Sequence, residues 1–198
     1  VYILTLESAA EMERAFGIPS IADHYTQIAS AIRGTIREKY WDATRGLFAD
    51  TYDHRSFSQH VNSLAILAGI VTGEEATRVM ERTLNDSSLI QATIYFRYYV
   101  HQALKVASMG DHLLDNLQIW RDQMALGLTT WAEMPEPTRS DCHAWGASPN
   151  IEFFRILLGI DSNAPGFKSI RIAPSLGDLK EVSGTMPHPV GSVTASYK

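Results

Sequence analysis

The stretch that decides the fold is PSIADHYTQIASAIRGTI, residues 19–36. Its apolar residues recur three or four positions apart, which is the spacing of one face of an α-helix: Ile21, Tyr25, Ile28, Ile32 and Ile36. Pro19 and Ser20 stand at the start of this face. We predict that Ser20 is the N-cap, because a serine hydroxyl can accept a hydrogen bond from the free amides of a first helical turn.

Further helical patterns follow up to about residue 160, with no clean repeat that would indicate a standard solenoid. Their predicted limits are residues that favour helix ends: Gly69, Thr72 with Glu75 in a capping box, Gly110, Asp111, Ser148 with Pro149, and Gly159. Antiparallel helix pairs joined by varied loops fit an α/α toroid. In such a toroid the loops gather at one mouth, where they can form a sugar-binding cleft.

After Gly159 the period changes to two, which is typical of strands with one buried face. Ile170 alternates with Ile172, and Val193 belongs to a second alternating run that ends at Tyr197. Glycines and prolines punctuate this part and predict turns: Gly166, Pro174, Gly177, Gly184, Pro187, Pro189 and Gly191. The sequence predicts a mainly α chain, with a helical domain over residues 1–160 and the start of a β-rich domain over residues 161–198.

Composition limits the kinds of partner. The 198 residues carry a formal charge of -5 without a Lys/Arg-rich stretch, which argues against nucleic acid or an anionic membrane. The sequence contains no apolar run long enough to span a bilayer and no signal peptide. Both ends interrupt predicted elements, so we expect the chain to be part of a larger protein. The sequence does not predict the cellular compartment of that protein. The single cysteine, Cys142, excludes an internal disulfide.

The segment from Gly127 to Gly146 concentrates the groups that carry carbohydrate chemistry. Trp131 and Trp145 supply flat apolar faces for sugar rings, and Glu133 can accept or donate a proton at a glycosidic bond. We expect the indoles to wall off water and so to raise the pKa of Glu133. His143 could bond a sugar hydroxyl or hold a carboxylate. The alternative is a solvated loop carboxylate with two tryptophans as packing anchors.

The other polar residues give weaker indications of a functional site. Cys142 has no second thiol, and its spacing to Asp141 and His143 is too tight for one zinc site, so we predict no metal and a small buried cysteine. The other histidines lack ligand spacing and are interpreted as surface or capping residues: His24, His54, His60, His101, His112 and His188. Tyr95 and Tyr99 are predicted to lie in the core.

Five segments together resemble the C-terminal part of bacterial α-L-rhamnosidases, glycoside hydrolase family 78. They are GLTTWAE (residues 127–133), RSDCHAW (139–145), LGI (158–160), and PGF (165–167) with IAP (172–174). The order and spacing match over roughly residues 110–198. The match is looser around Gly46–Phe48 and Ser58–Asn62.

The resemblance implies an (α/α)6 barrel followed by a C-terminal β-sandwich. It also implies inverting hydrolysis of terminal α-L-rhamnosyl groups from a rhamnose-containing glycoside or polysaccharide, with no redox cofactor. The carboxylate of the family's Thr-Thr-x-x-Glu motif, the general base, falls on Glu133, and its substrate-contacting histidine falls on His143. Trp131 and Trp145 would shape the pocket. Family members often carry Trp directly before the Glu, where this chain has Ala132.

The family's general acid lies in the N-terminal half of the barrel, so it is expected outside this chain, in the remainder of a parent protein. We therefore expect this chain alone to be inactive. Two rival interpretations stay open at this point. One is another α/α-barrel glycosidase, such as a glucoamylase-like or fucosidase-like enzyme; the other is a non-catalytic helical scaffold or carbohydrate-binding module.

Overall fold

A computed structural model describes residues 1–135 and 137–198. The chain divides into two compact units, Val1–Ala92 and Thr93–Lys198. About half of the described residues are helical, which confirms the mainly α prediction. None of the described helices is both long enough and apolar enough to traverse a lipid bilayer. The (α/α)6 toroid, the β-sandwich and the domain boundary after residue 160 remain predictions.

The first unit begins with an antiparallel helix pair, α1 (Tyr2–Phe16) and α2 (Pro19–Tyr40). The apolar face predicted for α2 packs against α1 around a buried core: Tyr25, Ile28, Ile32 and Ile36 contact the cluster of Ile3, Leu6, Ala29 and Ala68. The predicted N-cap Ser20 is wrong, because α2 begins at Pro19 with Ile18 in the cap position. The side chain of Glu13 accepts the amide of Ile18 at 2.8 Å and so closes the connecting turn.

A short hairpin and two more helices complete the first unit. Strands β1 (Trp41–Asp42) and β2 (Leu47–Phe48) pair antiparallel, and helices α3 (Gln59–Leu67) and α4 (Gly73–Asn85) follow. Thr72 is the N-cap of α4 as predicted, but its side chain makes no capping bond. Its capping-box partner Glu75 instead forms a bidentate pair with Arg37, at 2.9 and 2.5 Å.

Two buried amide side chains hold the first unit together. Asn62 accepts the amide of Phe48 at 2.8 Å and donates to the carbonyl oxygen of Phe48 at 3.0 Å. Gln59 donates to the carbonyl oxygen of Thr83 and accepts the amide of Ala92. Ser58 caps α3 by accepting the amide of Val61. These polar residues at the start of α3 therefore satisfy buried backbone groups.

The second unit starts with α5 (Ile94–Val106). The single helix predicted from Asp111 onward is wrong, because two 3-10 turns (Gly110–His112 and Leu114–Leu117) precede a shorter α6 (Gln118–Ala125). The Asp111 carboxylate accepts the amide of Gly177 at 2.9 Å and is not a helix cap.

The last helical segment has the predicted limits but a different interior. Ser148 precedes α7 (Pro149–Glu152), which continues as a π-helical turn over Phe153–Leu157. Gly159, with φ of 68°, then ends the helical segment. A Cβ at Gly159 would lie 2.1 Å from the carbonyl carbon of Ala173, so both the backbone angle and the available space require glycine here.

The strands after Gly159 form two antiparallel pairs. Strand β3 (Ile160–Ser162) pairs with β4 (Ile170–Ile172), and β5 (Val182–His188) pairs with β6 (Gly191–Tyr197). Gly184 and Pro187, predicted as turn residues, lie inside β5. The reason at Gly184 is close packing, since a Cβ there would meet Leu158 Cδ1 at 2.4 Å. These pairs pack on a cluster formed by Leu158, Ile160 and Ala195.

His101 on α5 is completely buried, so its interpretation as a surface or capping residue is wrong. Its ring lies 5.6 Å from that of Trp120. Burial, together with the nearby charge of Arg97, lowers the pKa of His101 to about 4. The imidazole is therefore neutral in the folded protein at neutral pH.

We expect His101 to make the folded protein less stable in mild acid. Below the ordinary histidine pKa of 6.5, the unfolded chain binds a proton that the folded chain does not. The free energy of unfolding therefore falls as the pH drops toward about 4. Between pH ~7 and ~5 this loss is about 2 kcal/mol. Urea titrations at both pH values should show that the free energy of unfolding falls less between them in His101→Leu than in the wild type. Replacing the exposed His112 by Gln should leave that fall unchanged.

We expect Gly159→Ala to reduce the free energy of unfolding by about 3 kcal/mol, because it combines left-handed strain with a clash against the backbone. Gly166 is a matched control, since it has the same φ of 68° but open space around a Cβ. Gly166→Ala should cost only about 1 kcal/mol. Urea unfolding of both variants checks the difference, and equal losses would contradict the packing argument.

Candidate active site

The candidate site is built on the loop between α6 and the 3-10 turn Ala144–Ala147, which we call the Glu133 loop (the described residues 126–135 and 137–143). This loop folds back on itself. The amide of His143 donates to the carbonyl oxygen of Trp131 at 2.8 Å, and the amide of Glu133 donates to that of Ser140 at 2.9 Å. Two motifs ten residues apart in sequence, Glu133 and His143, are thereby brought side by side.

Buried groups fix the loop to the second unit. The Gln123 side chain accepts the amide of Ala132 at 3.0 Å, and the Trp120 indole donates to the carbonyl oxygen of Gly146 at 2.6 Å. A Cβ at Gly146 would lie 2.6 Å from Trp131 Cβ, so the two loop segments are in close contact. Ala132 is itself buried, which shows that this position faces the interior of the unit.

Glu133 is an unusual loop carboxylate because only 7% of its surface is exposed. Arg139, which is 76% exposed, binds it with a bidentate pair of hydrogen bonds: Nε donates to Oε2, and Nη2 donates to Oε1. His143 Nε2 lies 3.9 Å from Oε1. Hence the interpretation of Glu133 as a solvated carboxylate does not fit its surroundings.

The hydrogen bonds from Arg139 hold the pKa of Glu133 below its usual range, although burial opposes them; the charges of Arg139 and His143 act in the same direction as the bonds. The sequence-based prediction of a raised pKa is therefore wrong. Burial does raise the pKa, but a bidentate guanidinium outweighs it. Glu133 is ionised at neutral pH, which is the state that a general base requires.

His143 joins the carboxylate to an aromatic wall. Its ring lies 4.5 Å from that of Trp145, and its Nδ1 is buried without a hydrogen-bond partner among the described residues. Trp145 in turn lies 5.1 Å from Tyr95 on α5. Trp145 and Tyr95 are 43% and 48% exposed, so the prediction that Tyr95 lies in the core is wrong.

The structure thus brings together three of the four residues predicted for the site: Glu133, His143 and Trp145. The backbone of Trp131 pairs with His143, but its side chain packs against the cluster of Ile94, Leu117 and Trp120, where it lines a separate cavity of about 290 Å³. Its role as a sugar contact stays a prediction.

Sequence reasoning missed two residues of the site. Arg139 follows Glu133 by six positions in the same loop, but only the fold of the loop shows that the two side chains pair. Tyr95 stands in the first turn of α5, and its side chain is half exposed although its helical spacing to Tyr99 predicts a shared buried face. By contrast Cys142, predicted to be buried, is exposed. Among residues 1–135 and 137–198, no three His, Cys, Asp or Glu side chains are grouped so that they could hold a metal ion.

Solved structures that resemble the chain include a family 78 rhamnosidase from Bacillus sp. GL1, with a TM-score of 0.86 and 25% sequence identity. That match covers 98% of this chain and 22% of the rhamnosidase. A rhamnosidase from Klebsiella oxytoca with rhamnose bound matches with a TM-score of 0.69 and 20% identity, over 77% of this chain and 32% of that protein. The chain thus spans less than a third of either protein. No protein-family model and no curated protein matches the sequence.

We expect the pKa of Glu133 to rise when Arg139 is replaced by Ala, because burial then acts without the opposing hydrogen bonds. Arg139→Lys keeps the charge but loses the bidentate geometry, so it should give a smaller rise. Carbon-detected NMR titration of the Glu133 carboxyl measures both. A pKa that does not move in Arg139→Ala would show that the pair does not control the ionisation of Glu133.

Proposed function

Since the chain has the fold of a segment of the family 78 rhamnosidases, we propose that it forms part of an α-L-rhamnosidase. The proposed substrate is a terminal α-L-rhamnosyl group of a glycoside or polysaccharide, and the proposed outcome is hydrolysis with inversion. The observation that carries the proposal is the Glu133 carboxylate, buried and ionised beside His143 and Trp145.

Inverting hydrolysis needs a base that activates water on one face of the sugar and an acid that protonates the leaving oxygen on the other. Glu133 is the base in this proposal. Both of its oxygens accept hydrogen bonds from Arg139, and in this proposal one of these bonds yields to the attacking water. The high exposure of the Arg139 side chain leaves room for that displacement. When Arg139 releases the carboxylate, its proton affinity increases at the moment when it accepts a proton from water.

His143 orients the sugar in this proposal. Its Nε2, near Glu133 Oε1, can bond a hydroxyl of the sugar whose anomeric carbon faces the water. Trp145 packs on the His143 ring, so it can hold the imidazole in place. The imidazole is thus fixed between a carboxylate and an indole.

The acid is proposed to come from sequence outside this chain. Glu152 has the property of an acid, because burial raises its pKa. Its side chain is completely buried and accepts a hydrogen bond from Gln102 at 2.6 Å, so it cannot reach a substrate. Supplying the acid from elsewhere in a longer protein agrees with the small share of each rhamnosidase that the chain spans.

We expect Glu133→Gln to lower kcat for an aryl α-L-rhamnoside by about 10²–10⁴-fold in a longer protein that contains this chain, because the amide cannot accept the proton of water. The fold should be retained, since the amide keeps the shape of the carboxylate. The exposed Glu181 provides the control, and Glu181→Gln should keep the activity.

A panel of other aryl glycosides, assayed with the same proteins, separates the rivals. Hydrolysis of a different sugar in place of rhamnose would indicate another glycosidase of the same fold class. Sugar binding that persists in Glu133→Gln, without hydrolysis of any glycoside by the parent, would indicate a carbohydrate-binding module and would refute the enzymatic proposal.

A further inference from the structure

The guanidinium of Arg139 covers the carboxylate of Glu133. Its Nε donates to Oε2 and its Nη2 donates to Oε1, so one planar group bonds both carboxylate oxygens. The side chain of Glu133 is 7% exposed, whereas the side chain of Arg139 is 76% exposed. The exposed guanidinium therefore shields the buried carboxylate from solvent on the side where the two groups meet.

This bidentate pair takes up the positions that a general base needs. The two parallel N–H groups of an arginine approach the lone pairs that point away from the stem of the carboxylate side chain. The water that Glu133 activates in the proposed reaction must donate to one of the same oxygens, at about 2.6–3.2 Å. The guanidinium and the water therefore compete for Glu133, and the observed pair is a closed state of the base.

The backbone around Arg139 is fixed, so only its side chain needs to move to open the pair. The amide of Glu133 donates to the carbonyl oxygen of Ser140, directly after Arg139, at 2.9 Å. Thr138 and Ser140 also bond each other across Arg139: the Thr138 hydroxyl donates to the carbonyl oxygen of Ser140 at 3.0 Å and accepts the amide of Ser140 at 3.3 Å. The long, exposed side chain can therefore rotate while the loop keeps its shape.

We propose that Arg139 is a side-chain gate of the candidate site: it pairs with Glu133 in the free protein, and the sugar displaces it on binding. In the complex, Glu133 takes a proton from the attacking water, whose hydroxide bonds to the anomeric carbon. When the product leaves, the return of Arg139 favours loss of that proton to solvent and restores the carboxylate. This inference rests on the proposed function and adds to it how the base is regulated.

The first test measures the binding of L-rhamnose by calorimetry, in a longer protein that contains this chain. A site that is closed in most molecules binds its ligand more weakly by the fraction that is open. Arg139→Ala has no closed state, so it should bind L-rhamnose about three- to tenfold more tightly. Arg139→Lys loses the bidentate geometry and should show a smaller gain. The exposed Arg171 provides the control, and Arg171→Ala should leave the affinity unchanged.

A double-mutant cycle separates a gate from a pair that only stabilises the loop. Glu133→Gln removes the charge that holds Arg139, so the gate is weakened in that variant. Arg139→Ala should therefore tighten rhamnose binding in the wild-type background and change it much less in the Glu133→Gln background. Thermal unfolding of each variant checks that the fold is kept.

The pH dependence of hydrolysis gives a second test, because kcat/KM follows the ionisation of the free protein and kcat that of the complex. In the free protein, the hydrogen bonds from Arg139 hold the pKa of Glu133 below its usual range against the effect of burial. In the complex, burial acts without them. The acid limb of kcat should therefore lie at higher pH than the acid limb of kcat/KM.

In Arg139→Ala the two acid limbs should lie close together, at the higher pH. The other titratable group that acts on Glu133 is His143, which stays in place in both proteins. Helix α6 meets the Glu133 loop and the turn after it with the uncharged side chains of Gln123 and Trp120. A shift of the kcat/KM limb in Arg139→Ala can therefore be assigned to loss of the guanidinium.

The outcomes separate the inference from the function on which it rests. Weaker rhamnose binding in Arg139→Ala would show that Arg139 holds the sugar, and unchanged binding would show that the sugar does not displace it. Either result, or coinciding acid limbs in the wild type, overturns the gate while hydrolysis of an aryl α-L-rhamnoside still supports the proposed function. If the parent neither binds L-rhamnose nor hydrolyses the rhamnoside, the proposed function fails and the inference falls with it.

Discussion

Backbone pairing joins the two sides of the Glu133 loop, and the geometry of the site depends on it: the amide of His143 donates to the carbonyl oxygen of Trp131, and the amide of Glu133 donates to that of Ser140. Without this pairing, nothing in the backbone would hold the Glu133 carboxylate and the His143 imidazole close together in space. The pairing is stable because its flanks are tied to buried groups, the Gln123 amide on one side and the Trp120 indole on the other. Pairing of buried backbone groups in this way avoids the cost of leaving them unsatisfied.

On this loop, two opposing effects decide the chemistry of Glu133. Burial favours the neutral acid, while the bidentate Arg139 favours the carboxylate, and the arginine prevails. A buried carboxylate with an exposed counterion suits a base, because the counterion can move aside as the base takes up its proton. The contrast with Glu152 shows how the surroundings set the ionisation of a buried carboxyl group: Glu152 is buried among polar groups without an arginine hydrogen-bonded to it, and its pKa is raised.

Much of the fold could be predicted from local pattern. The face of α2, the helix stop at Gly159 and the strand at Ile170 follow from periodicity and from the special backbone angles of glycine. Contacts between residues distant in sequence could not be read in the same way. Asp111 bonds Gly177 and caps no helix, and Gly184 is needed for close packing on Leu158 and forms no turn.

In the candidate site too, local motifs could be predicted from the sequence, whereas contacts made by the fold could not. The motif residues Glu133, His143 and Trp145 were proposed from the sequence and lie near one another in the fold, whereas the position of the Trp131 side chain in a separate cluster depends on the folded loop. The partner that sets the ionisation of Glu133 was missed because a bidentate pair depends on loop geometry. Exposure of Tyr95 was missed because helical spacing predicts which residues share a face and does not show whether that face is covered.

The central claim is that Glu133 activates a water molecule and does not attack the sugar itself. The most direct test is the anomeric form of the first product, followed by proton NMR while a longer protein that contains this chain begins to hydrolyse an aryl α-L-rhamnoside. The account predicts β-L-rhamnose first, before mutarotation restores the mixture. Release of α-L-rhamnose would show retention through a covalent intermediate and would contradict the role of Glu133 as a base.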